Sequence, residues 1–140
     1  MTAKPLRYTL TILESHLDFM GHVNNAAYFK IFEEARWELI TENGFGFKEM
    51  KELGVGPVVL EAHIIYKREL RLRQNVIIET EFMSFAKKIA NIRQRIVDNG
   101  GKLFCQADFK FGLFDTRARK LIAPTPAWVK AMGVFEPDVT

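Results

Sequence analysis

The 140-residue chain is expected to fold as an α+β domain, an antiparallel sheet of about five strands wrapped around one long central helix. Three observations predict this. One long segment has the period of a helix, several long segments alternate with the period of a strand, and short turn signals fold those strands back on themselves.

Leu6 to Leu13 reads as the first strand, because Leu6, Tyr8, Leu10 and Ile12 occupy alternate positions. An irregular polar stretch follows from Glu14 to Asn25. The period then changes at Ala26: Tyr28, Phe32, Ala35 and Leu39, with Ile31 beside them, form one apolar stripe of a helix. Asn24 or Asn25 suits its N-cap, since either side chain can accept a bond from an orphaned backbone N–H. Asn43-Gly44 supplies the stop, because both residues tolerate left-handed backbone angles. After a glycine-punctuated connection from Gly44 to Pro57, alternation resumes. Val58 to Leu70 places Leu60, Ala62, Ile64 and Tyr66 on one face, and Val76 to Phe85 does the same with Val76, Ile78, Thr80 and Phe82. Ile89 to Val97 carries Ala90, Ile92 and Ile96 on one side. Asp98-Asn99-Gly100-Gly101 marks a tight hairpin. Leu103 to Phe114 alternates Leu103, Cys105, Ala107, Phe109, Phe111 and Leu113 against a more polar row. Thr125-Pro126 reads as a cap and first-turn proline opening a short helix through Met132.

Hairpin-length connections make the four later strands antiparallel neighbours, and the long amphipathic helix is the one element able to cover their common apolar face. The opposite face still carries Ile65, Ile77, Met83, Phe104 and Phe114. That much apolar surface implies a homo-oligomer, a homodimer or homotetramer. Residues 1–140 form a single domain, since a chain of this size buries roughly two-thirds of its unfolded surface.

Composition narrows the function. Apolar residues make up 48% and charged residues 26%, ordinary values for a globular protein. No apolar run has the length of a membrane span, and Met1 to Arg7 lacks the apolar core of a secretion signal, so a cytoplasmic location is expected. The net charge of +3 suits an anionic small ligand and is too dispersed to indicate nucleic acid. Cys105, the one cysteine, excludes an intramolecular disulfide and sits at an inward strand position, a small buried side chain rather than a nucleophile. There is no Gly-x-Ser-x-Gly elbow, no P-loop and no Gly-x-Gly-x-x-Gly. His16, Asp18 and His22 follow no metal-ligand spacing, and no metal is expected.

The informative segment is His16-Leu17-Asp18-Phe19-Met20-Gly21-His22-Val23-Asn24-Asn25-Ala26-Ala27-Tyr28, continuing to Glu33-Glu34-Ala35-Arg36. It resembles the signature of hotdog-fold acyl-CoA thioesterases of the hydroxybenzoyl-CoA thioesterase type, specifically over Asp18 to Arg36. The resemblance implies a hotdog fold with Asp18 as the catalytic carboxylate and the backbone N–H of Asn25 polarising the thioester carbonyl. It also implies sites formed between subunits and no cofactor. His16 stands where that family commonly has aspartate, Glu69 where proline is frequent, and Gln74-Asn75 where Gly-Asp is frequent; these departures bear on substrate rather than on Asp18.

The residues support this chemistry in their own right. Asp18 lies in the loop leading into a helix N-terminus, which presents unpaired N–H groups and about half a positive charge. A carboxylate of ordinary pKa about 3.9 is a weak base and nucleophile, suited to an activated acyl group. A thioester qualifies, because its thiol resembles a cysteine thiol of pKa about 8.5 and departs readily as thiolate. Asp18 can attack to give a mixed anhydride or activate a water; both routes are open. His22 has two roles open to it, orienting water or the acyl group, or bonding backbone in the turn. Gly21 serves backbone angle or close ligand approach, and Asn24 lies beside the site. Tyr28 either lines an acyl pocket or belongs to the core. The resemblance also implies Glu33 as the alternative catalytic carboxylate, since some hotdog thioesterases use a glutamate on this helix; the plain reading is an ion pair with Arg36 one turn on. The nucleotide of coenzyme A is expected near Arg68, Lys87 and Lys88. The expected partner is an acyl-CoA or a thioester on acyl carrier protein. An enoyl-thioester hydratase or dehydratase and a non-catalytic acyl-thioester binding protein are the alternatives.

Overall fold

The computed structural model describes residues 2–3 and 5–135. In chain order the elements are β1 (Thr2–Ala3), β2 (Leu6–Thr11), a 3-10 turn (Glu14–His16), α1 (Ala27–Glu42), α2 (Phe47–Leu53), β3 (Val55–Tyr66), β4 (Asn75–Ala86), β5 (Ile89–Val97), β6 (Leu103–Asp115), β7 (Lys120–Ile122), α3 (Pro126–Ala131) and β8 (Val134–Phe135). The main sheet is antiparallel, in the order β2-β4-β5-β6-β3, and β7 extends it by pairing with β6. β1 and β8 form a separate two-stranded ribbon.

The stripe read from the sequence is the buried face of α1: Tyr28, Ile31, Phe32, Ala35 and Leu39, joined by Ile40. Phe32 is fully buried and meets Phe109 of β6 edge to face, with ring centroids 5.9 Å apart. A second tie is polar. Gln94 of β5 is 0% exposed, and its Nε2 donates to Phe32 O (3.1 Å) and Thr80 Oγ1 (2.9 Å). Its Oε1 accepts from Arg36 Nη1 at 2.9 Å. With all its partners in place, a core amide costs little; left unpaired, the same groups would carry the full desolvation penalty. On the exposed side of α1, Tyr8 donates to Glu34 Oε2 at 2.7 Å and fastens β2 to the helix.

Several expectations are corrected. β3 does not pair with β4. Its partner is β6, across the β4-β5-β6 meander, because the eight-residue span between Tyr66 and Asn75 is too long for a tight hairpin and carries the chain over the sheet end instead. The expected strand Val58 to Leu70 accordingly starts earlier and stops at Tyr66, while Leu70 becomes a fully buried plug from the loop. A bulge between Val59 and Glu61 leaves Leu60 without a cross-strand partner. It shifts the phase of the strand, so Pro57 and Val59 stand opposite the buried Leu113 and Phe111, and Ala62, Ile64 and Tyr66 stand opposite Phe109, Ala107 and Cys105. Leu60 therefore does not share the face assigned to it.

Phe104, expected on the outer face, is buried to 6% exposure, because the loop after β3 folds over it with Lys67 N–H and Arg68 N–H both donating to Phe104 O. Ile65 and Met83 do remain exposed. The connection Gly44 to Pro57 holds a helix, α2, which Gly46 opens by donating to Glu49 Oε2 (2.9 Å) and Gly54 closes in the left-handed region (φ +68°). The first strand ends at Thr11, and the N-cap position of α1 is Ala26, although Asn24 does cap its N–H. The Thr125 cap, accepting from Trp128 N–H, and the Pro126 start of α3 lie where the sequence puts them. Among the described residues no helix is long and apolar enough to cross a membrane.

Candidate active site

The polar stretch between β2 and α1 has a defined shape. Leu17 and Val23 form an antiparallel bridge, and Asp18 to Gly21 make the turn inside it: Asp18 N–H donates to His22 O (2.8 Å) and Gly21 N–H to Asp18 O (3.1 Å). Gly21, at φ +83° with open space around it, is the residue that lets the chain reverse here. The turn is held from behind by Asn24 N–H donating to His16 O (2.9 Å), while His16 Nδ1 accepts Leu13 N–H (2.9 Å).

This frame presents the half-buried Asp18 carboxylate with its two oxygens in different situations. Oδ1 accepts Met20 N–H at 2.9 Å and, more weakly, His22 N–H at 3.4 Å. Oδ2 has no protein donor among the described residues. One oxygen thus positions the side chain, and the other is left for a ligand or water.

The start of α1 is built beside it. Asn24 Oδ1 takes Ala26 N–H (2.9 Å) and Asn24 O takes Ala27 N–H (2.9 Å), which satisfies two of the N-terminal donors. Asn25 N–H has no acceptor among the described residues, and Asn25 O accepts from Tyr66 Oη at 3.0 Å, so the end of β3 fixes this peptide. Tyr66 also packs edge to face on Tyr28 at 4.9 Å. Burial is the main cause that pushes the Tyr28 phenol up to about 12, so it stays a protonated hydroxyl. A cavity of about 390 Å³ opens here, lined by Asp18, His22, Asn25, Tyr28, Tyr66 and Arg68, among others. Asp18, with an unclaimed carboxylate oxygen, and Asn25, with an unclaimed N–H, therefore line one cavity at a helix N-terminus.

The structure brings together Asp18, His22, Asn25, Tyr28 and Arg68, with Gly21 and Asn24 shaping the loop. The His22 ring does not reach Asp18; Nε2 lies 3.2 Å from Glu69 Oε2. Tyr28, at 4% exposure, is a core residue with one edge on the cavity. Glu33 lies elsewhere. With Arg36 and Trp37 it lines a separate apolar cavity of about 130 Å³ between α1, α3 and the sheet. It makes no ion pair with Arg36, whose guanidinium instead lies 4.7 Å from the Phe109 ring and 5.0 Å from that of Phe111. Burial holds Arg36 down to about 10. Lys87 and Lys88 form the β4–β5 turn, at the opposite end of the sheet from Asp18 within one chain, and Lys88 Nζ donates to Leu121 O. Tyr66, Lys67 and Glu69 also line the cavity; they stand at and just beyond the end of β3, and nothing local in the sequence says what that end touches.

A family model described as the thioesterase-like superfamily matches residues 13–132. The chain belongs to the thioesterase-like superfamily. The fold of this superfamily member is thus of the hotdog type, a curled antiparallel sheet with few helices. It is 31% identical over 109 residues to the long-chain acyl-CoA thioesterase FadM of Escherichia coli, a match covering 77% of this chain and 82% of that protein. Among solved structures it is similar to YbaW, a probable thioesterase of Escherichia coli, at 26% identity and TM-score 0.78, covering 91% of this chain and 96% of the other. SAV2348 of Staphylococcus aureus, solved in complex with CoA, shares the fold at TM-score 0.84 with 19% identity, over 100% of this chain and 90% of the other.

Proposed function

We propose that this superfamily member hydrolyses acyl-CoA thioesters to free acid and thiol, with Asp18 as nucleophile or general base and Asn25 N–H as the oxyanion donor. The observation that carries the reading is the shared cavity, lined both by Asp18, whose Oδ2 has no protein donor, and by Asn25, whose N–H has no acceptor among the described residues. A donor fixed before the reaction begins stabilises developing oxyanion charge without reorganising, and losing one such donor typically costs about 10²–10³ in rate. Tyr66 supports that fixity by holding the Asn25 peptide. Two routes are open: attack by Oδ2 on the carbonyl carbon to give a mixed anhydride that water then hydrolyses to free acid and Asp18, or proton abstraction from a water that attacks the carbonyl itself. Either expels thiolate, which needs no strong acid to leave.

The same reading includes a homodimer or homotetramer, a cytoplasmic location and no metal or organic cofactor. β3 supports the assembly. It is a 12-residue strand at the sheet edge, with Val59, Leu60, Ile65 and Tyr66 all exposed in the single chain. A long apolar edge invites pairing with a second strand. Antiparallel pairing of β3 with its copy would turn the Lys87–Lys88 end of one subunit, and the Glu33 cavity with it, toward the Asp18 end of the other. Glu33, Lys87 and Lys88 keep their proposed roles only through such a partner.

The test is thiol release over a panel of aliphatic and aromatic acyl-CoAs and acyl carrier protein thioesters. Turnover with stoichiometric thiol and acid is expected. Hydration of crotonyl-CoA without thiol release would replace this reading with a hydratase, and tight binding without turnover would replace it with a binding protein.

A further inference from the structure

Two exposed apolar patches lie outside the proposed site and the β3 edge, and they differ in their charge setting. Phe47 and Leu53 sit on α2 among Lys48, Glu49, Lys51 and Glu52, where the signs alternate, and Phe47 rests on Trp37 at 6.4 Å. The other patch is at the far end of β3. Phe19 and Met20 form the centre of the Asp18–Gly21 turn and point into solvent, 98% and 66% exposed. Leu13 and Leu72, also exposed, flank this tip. The loops that carry them are laced together: Ile12 N–H donates to Gln74 O (2.9 Å), Arg73 N–H to Ile12 O (2.8 Å), and Arg73 pairs with Glu14 at 2.7 Å. The apolar tip is therefore held on a frame of two loops.

The charges around the tip differ in reach. Glu14 is taken by Arg73 and Glu69 by His22 (3.2 Å), while Asp18 and Asp98 are turned onto backbone N–H groups of their own turns. Arg68 donates one N–H to Leu103 O. Lys67, Arg71 and Lys102 are exposed, with no carboxylate partner among the described residues. Such long cationic side chains keep their heads in a polar layer while an apolar neighbour sinks beneath it.

We infer that this end of the chain docks on an anionic phospholipid surface, with Phe19 and Met20 inserted at the boundary between headgroups and acyl chains and Lys67, Arg71 and Lys102 against the lipid phosphates. Charge complementarity selects this occupant. A symmetric contact with a second copy through the same tip would set these cations against their own counterparts. Docking in this pose brings the cavity that Asp18 and Lys67 line next to the lipid, where molecules with apolar tails collect. The inference goes beyond the thioesterase reading and does not rest on it, because the binding is read without turnover.

The test is flotation of the full chain with vesicles of equal parts phosphatidylglycerol and phosphatidylcholine. The protein is expected in the lipid fraction at low salt, less of it as salt rises, and none on phosphatidylcholine alone. Partition should fall about tenfold or more in Phe19→Ser and about fivefold in Arg71→Ala. In Phe47→Ser, on the charge-balanced patch, it should change by less than about twofold. These side chains are exposed, so thermal unfolding of each variant should match the parent. Phe19→Trp keeps the apolar tip and reports on it: its fluorescence should shift to the blue on anionic vesicles by more than that of the parent chain. Failure of the parent to float, flotation that survives Phe19→Ser, or a Phe19→Trp emission that the vesicles leave unchanged overturns the docking. Equal binding to phosphatidylcholine alone overturns the role of the cations and the anionic surface with it. A sedimentation coefficient that drops in Phe19→Ser assigns the tip to a second copy of the chain and likewise overturns the inference.

Discussion

Asp18→Asn separates the catalytic duty proposed for Asp18 from its part in holding the turn. The amide keeps an oxygen at Oδ1, so Met20 N–H (2.9 Å) and His22 N–H (3.4 Å) retain an acceptor, and the Leu17–Val23 bridge around them is untouched. What is lost is the negative charge and the basic Oδ2. Exchanging a charged acceptor for a neutral one weakens a hydrogen bond from about 1.5–3 to about 1 kcal/mol. The carboxylate is only half-buried and one of its bonds is long, so the stability cost should be about 1 kcal/mol, a few degrees in Tm for a domain of this size. The catalytic cost is of another order. With neither a nucleophile nor a base at that position, kcat should fall by about 10³ or more, which is about 4 kcal/mol on the barrier. The assay pairs thiol release at saturating acyl-CoA with thermal unfolding of the same preparation. An Asn variant that keeps its kcat removes Asp18 from the chemistry and moves attention to Glu33→Gln. A variant that loses activity only in step with a collapse in Tm shows that the charge held the turn and nothing more.

Other outcomes are expected from the same structure. Gln94→Leu should destabilise the chain by about 2–4 kcal/mol in urea unfolding, because it strips partners from the Arg36 guanidinium, Thr80 Oγ1 and Phe32 O at once; an unchanged midpoint would mean the amide network is dispensable. Burial pushes the Cys105 thiol from 9.0 up to about 12. In the unfolded chain it ionises first, so the stability it contributes is complete below pH 9.0 and declines as pH rises toward about 12. A thiol reagent should titrate Cys105 at pH 8 only after denaturant is added, and rapid native labelling would contradict its burial. Ile65→Lys, at an exposed edge position, should shift the proposed homo-oligomer toward monomer in sedimentation, with activity falling alongside; an oligomer unchanged by the substitution would place the interface elsewhere.

Much of the molecule is written locally. The apolar stripe of α1, the inward rows of β4, β5 and β6, the Asp98-to-Gly101 turn and the burial of Cys105 all follow from side-chain period and turn chemistry, which act over a few residues. The loop from Asp18 into α1 has no such period and stands out through its resemblance to a family signature, to which its glycine and asparagines add turn and capping chemistry. Period says which face a strand buries, but not which strand lies beside it. The pairing of β3 with β6 and the cover over Phe104 were settled by how eight loop residues cross the sheet end, and the bulge at Leu60 belongs to the β3–β6 ladder that results. Gln94 reads as polar and is buried because three distant groups converge on it. Likewise Tyr66 reaches Asn25, Glu69 reaches His22 and Glu33 is carried to another cavity by contacts spanning tens of residues. A local pattern has no term for such meetings, because their energy exists only once the sheet has closed.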